Sequence, residues 1–314
     1  MGAFSVGIFH LSTHAYFKAL LFMSAGSVIH ALSGEQDMRN MGGLKAKIPQ
    51  TYRAFLIGTL AIAGIPLLSG FFSKDEILWQ AFSSEHGHPL LWLLGVGAAV
   101  LTAFYMFRLL FLTFHGRSNV AHGVVEHVHE SPSVMLVPLY VLAFLSIIGG
   151  YIGLPEALGG GAWFEHFLSP VIAAGHAPGA IAESHSTSTE YGIMLISIAA
   201  ALTGIAVAYV FYIKEPSRPK RLAERAATAY RLLLNKYYVD EVYDYAVVKP
   251  FYVGSLFFWK IFDVRVVDGF ANGLAKFFGA FSERVRIAHT GLVRNYALSF
   301  LIGVIILIGF YFLR

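Results

Sequence analysis

The chain contains no cysteine, which removes disulfides, iron–sulfur ligation, thiolate zinc sites and thiol nucleophiles together. Any redox chemistry it serves must run on another chain. Charge is also scarce: 13% of the 314 residues are Asp, Glu, Lys or Arg, roughly half the about 25% of a soluble domain. There is no Walker loop, no dinucleotide fingerprint between strand and helix, no HExxH motif and no nucleophile elbow, so bound nucleotide, zinc-peptidase and hydrolase chemistry have no support.

What is present is apolar. Hydrophobic residues make up 56% of the chain and aromatics 15%, so water is not its main solvent. The formal charge is +4, but 14 of the 23 Lys and Arg fall between Lys214 and Arg294. Basic residues clustered beside apolar spans read as membrane topology rather than as a nucleic-acid footprint.

A bilayer core needs about 20 mostly apolar helical residues, and six stretches qualify: 4–32, 51–82, 91–114, 134–154, 191–213 and 296–313. The expected fold is an all-α polytopic membrane helix bundle. The first stretch is too long for a cleavable signal peptide, lacks a basic leader, and carries His10, His14 and Lys18. Six spans put both termini on one side and the loops 33–50, 115–133 and 214–295 on the other. The 155–190 loop joining the spans of 134–213 holds Glu156, Glu165, Glu183 and Glu190 but no Lys or Arg. The positive-inside rule therefore faces both termini and this loop away from the cytoplasm of a bacterial inner membrane. Leu158-Gly-Gly-Gly-Ala and the Ser/Thr/His stretch from Ala182 to Thr189 read as an irregular surface segment.

The second stretch would extend roughly 48 Å as one helix, against a hydrocarbon core of about 30 Å. Gly64-Ile-Pro66-Leu-Leu-Ser-Gly70 supplies a break, since Pro66 removes a donor and the glycines accept unusual torsions. A new helix is expected to start at Ser73, where Ser73 and Glu76 form a capping-box pattern and Asp75 adds charge that a helix N-terminus favours. Discontinuous helices at membrane depth recur at ion sites.

Residues 214–225 read as a polar cytoplasmic linker that Pro216 and Pro219 keep from being helical. From 226 to 290, Lys260, Asp263, Asn272, Lys276, Glu283 and Arg286 recur near one face of a 3.6-residue repeat. That pattern predicts a long amphipathic helix along the membrane plane, with bends at Pro250 and Gly269. The last span follows it.

His10, His14 and Lys18 are spaced by four and stack on one face of the first span. A lysine in hydrocarbon is costly and points by default to a functional interior. Histidine titrates near neutral pH, and a lysine in low dielectric holds its proton less tightly, so the trio can act as a proton relay. Alternatively, the histidines satisfy helix–helix hydrogen bonds and Lys18 pairs with a carboxylate. Lys74, beside Asp75 and Glu76, either sits in a polar pocket inside the membrane or snorkels to water. Arg108 reads as a snorkelling anchor. His86 and His88 belong to a polar loop, and His115, His122, His127 and His129 match no tetrahedral metal spacing. No catalytic, cofactor-binding or metal site is expected in this chain.

Three motifs carry a family resemblance: His10-Leu-Ser-Thr-His14-Ala-Tyr-Phe-Lys18-Ala-Leu-Leu-Phe, Met38-Arg-Asn-Met-Gly-Gly-Leu, and Gly64-Ile-Pro-Leu-Leu-Ser-Gly-Phe-Phe-Ser-Lys74-Asp-Glu-Ile-Leu. They resemble the antiporter-like subunits of respiratory complex I. Phe111-Leu-Thr-Phe-His-Gly-Arg, Glu130-Ser-Pro and Asn235-Lys-Tyr-Tyr-Val-Asp-Glu-Val-Tyr-Asp are similar to the L-subunit branch of that family. The resemblance covers essentially the whole chain. It implies a proton-pumping membrane subunit of NADH:quinone oxidoreductase without a redox centre or cofactor of its own. Lys18 would lie on the polar axis of the membrane arm, His10 and His14 would connect that axis, and Lys74 would end a half-channel at the broken helix. The helix within 226–290 would be a lateral helix running along neighbouring antiporter-like subunits. Family members have about sixteen spans and this chain matches the last six, so it reads as a fragment, with Met1 an internal methionine or an artificial start. Two other readings stay open: the large subunit of a multi-subunit cation/proton antiporter, and a non-conducting scaffold.

Overall fold

A computed structural model describes residues 2–155, 158–172 and 187–313. Among them all regular structure is helical, and no strand is present. Two compact units divide the chain, residues 1–225 and 226–314.

The first unit is built on α1 (Phe4–Ala31), α2 (Pro49–Ala63), α3 (Ser69–Ser83), α4 (Pro89–Phe114), α5 (Ser133–Ile148), α6 (Trp163–Ile172) and α7 (Thr187–Tyr209), followed by α8 (Arg218–Arg225). Its core joins α1, α2, α4 and α7 through Leu21, Val28, Phe55, Phe107, Leu110, Phe114 and Ala208. α4 and α7 pack along their lengths. Small residues make this possible: a Cβ on Gly204 would stand 2.4 Å from the Val100 carbonyl oxygen and 2.8 Å from the Ala103 side chain.

Among the described residues, four helices are long and apolar enough to cross a membrane: Pro89–Phe114, Ser133–Gly153, Ser188–Lys214 and Val293–Phe312. The other two expected spans fall short for identifiable reasons. α1 has 28 residues but carries His10, His14, Lys18 and five Ser or Thr. α2 and α3 have 15 residues each, about 22 Å apiece at 1.5 Å per residue.

The break between α2 and α3 has the expected cause. Gly64 ends α2 with φ +80°, and the Ile65 N–H returns to the Leu60 carbonyl at 3.2 Å, a left-handed closure that suits glycine. Pro66 follows, and Leu67 is left-handed as well, at φ +71°. The expected start at Ser73 is corrected. α3 begins at Ser69, one turn earlier, and Ser73 lies inside it with no capping bond, because its hydroxyl is engaged with α1.

The loops after α1 and before α5 meet at one end of this unit. Gly43 N–H bonds the His115 carbonyl at 3.1 Å, Asn119 N–H bonds the Met41 carbonyl at 3.0 Å, and Lys47 Nζ reaches the Val125 carbonyl at 2.7 Å. The Glu130 carboxylate accepts from the backbone N–H groups of Gln50 at 2.7 Å and Thr51 at 3.3 Å, and from the Thr51 hydroxyl at 2.6 Å. A residue 80 positions away thus fills the N-cap role that Ile48 cannot.

Two further expectations are corrected. The linker 214–225 contains the helix α8, because Pro219 falls in its first turn, where the missing N–H costs nothing. In the 155–190 loop, Trp163–Ile172 is helical and α7 begins at Thr187. Glu156, Glu183 and residues 182–186 of the Ser/Thr/His stretch lie outside the described residues.

The second unit begins with α9 (Ala227–Leu234). Lys236, Tyr237 and Tyr238 then take φ of +50°, +59° and +57°, a left-handed corner. Beyond it the chain is helical over residues 239–288 (α10), with wide π-type turns at Asp244–Val248 and Phe258–Val267. The expected helix bends at Pro250 and Gly269 are corrected: each residue lies within the regular helical segment that follows a wide turn, Lys249–Phe257 and Asp268–Ala288, Pro250 at the start of its segment, where a missing N–H is tolerated. α11 (Val293–Phe312) closes the chain.

Candidate functional site

The site lies where α1 passes α3. His10, His14 and Lys18 share one face of α1, as their spacing requires. His10 and His14 have ring centroids 5.9 Å apart, His14 stands edge-on to Phe17 at 5.3 Å, and the Lys18 ammonium lies 5.7 Å from the Phe22 ring. His14 is within electrostatic range of Lys18, and His10 of both His14 and Lys74. The four candidate residues therefore follow one another in the order Lys18, His14, His10, Lys74.

α1 is fastened to α3 by hydroxyls that local sequence patterns do not single out. His10 Nδ1 shares a 3.0 Å hydrogen bond with Ser73 Oγ, which is also 2.7 Å from Thr13 Oγ1. Thr13 and Ser73 are both fully buried. Thr13 also donates to the His10 carbonyl at 3.1 Å.

Lys74 is turned into the packed interior of the first unit. Its Nζ is buried and has no hydrogen-bond partner, and its aliphatic chain runs past the Cα of Gly64. Lys74 and Asp75 line a small cavity of about 10 Å³ together with Gly64, Ala99 and Ser197, which is about the space one water needs. Asp75 is 8% exposed, and its Oδ1 lacks a partner. Glu76 accepts a 2.9 Å hydrogen bond from Gln80 and lines a larger cavity of about 370 Å³ with Glu165, His166 and Glu190. Pro66 touches none of this directly; its part is the break that brings Gly64 against Lys74. The convergence of Glu165, His166, Glu190 and Ser197 on this region is not readable from local pattern, since they lie on α6 and α7.

The remaining candidates lie elsewhere. Arg108 stacks over Tyr212 at 5.5 Å, and His115 bonds the Tyr52 hydroxyl at 3.2 Å. Among the described residues no group of three His, Asp or Glu is arranged to hold a metal.

Comparison with known proteins adds a lineage to this geometry. Residues 1–102 match the family described as NADH:quinone oxidoreductase/Mrp antiporter, TM. The NADH-quinone oxidoreductase subunit L of Neisseria meningitidis serogroup B is 36% identical, over 99% of this chain and 49% of the relative. NAD(P)H-quinone oxidoreductase chain 5 of Synechocystis is 38% identical, over 95% of this chain and 48% of the relative. A solved chain of the Mrp complex from Dietzia sp. DQ12-45-1b is 23% identical, with a TM-score of 0.48, over 85% of this chain and 28% of that one. The chain thus spans about half the length of the relatives it matches.

Proposed function

Because this chain belongs to the antiporter-like membrane subunits of the NADH:quinone oxidoreductase family, we propose that it takes part in proton translocation coupled to NADH:quinone oxidoreduction. Lys18 and Lys74 are the exchanging bases, and His14 and His10 lie between them. The observation that carries this reading is the placement of His10, His14 and Lys18 on one face of α1, the two rings 5.9 Å apart, with His10 bonded to Ser73 of α3 and the next residue, Lys74, buried without a hydrogen-bond partner. Such a lysine is costly as structure alone. The hydroxyls of Thr13 and Ser73 hold His10 in place beside Lys74.

The finer architecture follows from the same proposal. α1 and the α2–α3 pair are two further spans, giving six, and within the 226–290 segment, which the corner at 236–238 divides, α10 is the lateral helix that runs along other membrane-arm subunits. Both termini face away from the cytoplasm of a bacterial inner membrane. Oxidation and reduction take place on partner subunits and reach this chain as changes in charge along the membrane arm.

The test uses the complete subunit in its assembled complex. Lys18→Met and Lys74→Met are each expected to lower the number of protons moved per NADH oxidised while NADH oxidation continues. An unchanged ratio in both variants would sink the assignment. The family match at residues 1–102 is shared with Mrp antiporters, which keeps a second reading: sodium-dependent proton exchange in vesicles that contain no respiratory enzyme would favour an antiporter.

A further inference from the structure

The stretch from the end of α7 through α8 gathers charge of one sign. Between residues 214 and 225 stand Lys214, Arg218, Lys220, Arg221 and Arg225 against two acids, Glu215 and Glu224. Glu215 is already engaged, accepting from Arg218 Nη2 at 2.8 Å, while Lys214, Lys220, Arg221 and Arg225 are exposed. Phe111, near the end of α4, meets Tyr209 at 6.0 Å, and Arg108 stacks over Tyr212. The chain therefore leaves α7 at the same end of the first unit as it leaves α4, where the loops around Gly43 and Asn119 meet. Tyr209 and Tyr212 mark the level at which a span meets the headgroups. Among the described elements none packs along α8.

A positive-inside bias accounts for the number of basic residues beside a span. It does not account for their order around the helix. With 3.6 residues per turn, Arg218, Arg221 and Arg225 fall on one flank of α8 and Lys220 on the other, and Pro219, Leu222 and Ala223 form an apolar strip between the flanks. Leu222, in the middle of that strip, is 55% exposed. Glu224 falls on the side opposite the strip. An apolar strip flanked by cations, with the acid behind, is the arrangement of a helix that lies in a headgroup layer.

We propose that α8 is an in-plane anchor that binds the anionic phospholipid surface on the side of the membrane where α7 ends. Pro219, Leu222 and Ala223 settle at the boundary between headgroups and acyl chains. Arg221 and Arg225 on one flank and Lys220 on the other reach lipid phosphates, and Glu224 faces water. Arginine suits this task, because its planar guanidinium meets phosphate oxygens in pairs. The occupant follows from position as well as from charge. The apolar helix Ser188–Lys214 is long enough to cross a membrane, and α8 starts at Arg218, just beyond it, so the phosphates within its reach are those of the bilayer. With one leucine in eight residues, burial alone is weak, and attachment depends on headgroup charge and weakens as salt rises. The inference requires α7 to span the membrane and is independent of any role for Lys18 or Lys74.

The test uses the assembled complex in lipid nanodiscs. This chain has no cysteine, so a nitrobenzoxadiazole label on Leu222→Cys reports α8 once the signal of the unsubstituted complex, treated alike, is subtracted. Its emission should shift to the blue when phosphatidylglycerol replaces part of the phosphatidylcholine, and the shift should reverse as salt is raised. The same label on Glu224→Cys should keep the emission of a water-exposed site in both lipids. Arg221→Gln combined with Arg225→Gln should weaken the response to phosphatidylglycerol by about fivefold per charge removed. Arg221→Lys combined with Arg225→Lys should keep most of it. Equal Leu222→Cys emission in the two lipids overturns the proposal, as does a shift that the paired Gln variant leaves intact. A shift produced by inorganic phosphate alone, in discs of phosphatidylcholine, overturns the bilayer as the occupant.

Discussion

His10 and Ser73, 63 positions apart, share a hydrogen bond of 3.0 Å, and Thr13 closes on the same hydroxyl at 2.7 Å. One buried serine therefore fixes the rotation of α1 against α3, and with it the distance from His10 to Lys74. Ser73→Ala would leave the His10 Nδ1 and part of the Thr13 capacity unmet. It is expected to lower stability by about 1–3 kcal/mol, read as a lower unfolding midpoint in detergent, and Ser73→Thr should recover part of the loss.

Glu130 closes the N-terminus of α2 from across the fold. Glu130→Ala should cost about 0.5–2 kcal/mol, as the loss of an N-cap does. Hydrogen exchange should rise at the amides of Gln50 and Thr51 and stay unchanged in α4. Equal exchange at those two amides would contradict the capping role.

Gly204 sets the spacing of α4 and α7. The Cβ of Gly204→Ala would meet the Val100 carbonyl oxygen at 2.4 Å, so the helices must part. The expected cost is about 1–3 kcal/mol, measured as a lower midpoint than for Gly192→Ala, where nothing stands within 4 Å of an added Cβ.

His115, just past α4, holds its proton less tightly than a free histidine, first because it is partly buried and then because the Lys45 charge is near. The folded state thus binds fewer protons at this position than the unfolded chain does. Its contribution to stability is complete above the unfolded value of 6.5 and declines as pH falls below it. His115→Phe should flatten the dependence of the unfolding midpoint on pH below about 6.5. An unaltered pH slope in that variant would exclude the effect.

The sequence made some of this legible and hid the rest for physical reasons. The break at Gly64–Pro66 was readable because backbone restrictions act locally, and the face shared by His10, His14 and Lys18 was readable because it depends only on helical period. The start of α3 was misplaced by one turn: Ser73 and Glu76 imitate a capping box, while the true partners of Ser73 come from α1. Pro219 looked like a helix breaker because its tolerance in a first turn depends on where the helix begins. Glu165 and Glu190 read as solvated loop acids, since only packing brings them beside Glu76. Glu130 as the cap of α2 could not be inferred at all, because nothing within 79 positions marks the pair.

The contact of Gly64 with Lys74 has an evolutionary consequence. With φ at +80°, position 64 resists any side chain, and a Cβ there would touch the lysine chain at 3.4 Å. A lineage that exchanged Lys74 for another proton carrier would still inherit the glycine, because the helix break needs it. A lineage that lost the glycine would disturb the lysine in the same event. The two positions should therefore drift unequally, with the glycine outlasting the lysine in descendants that no longer move protons here.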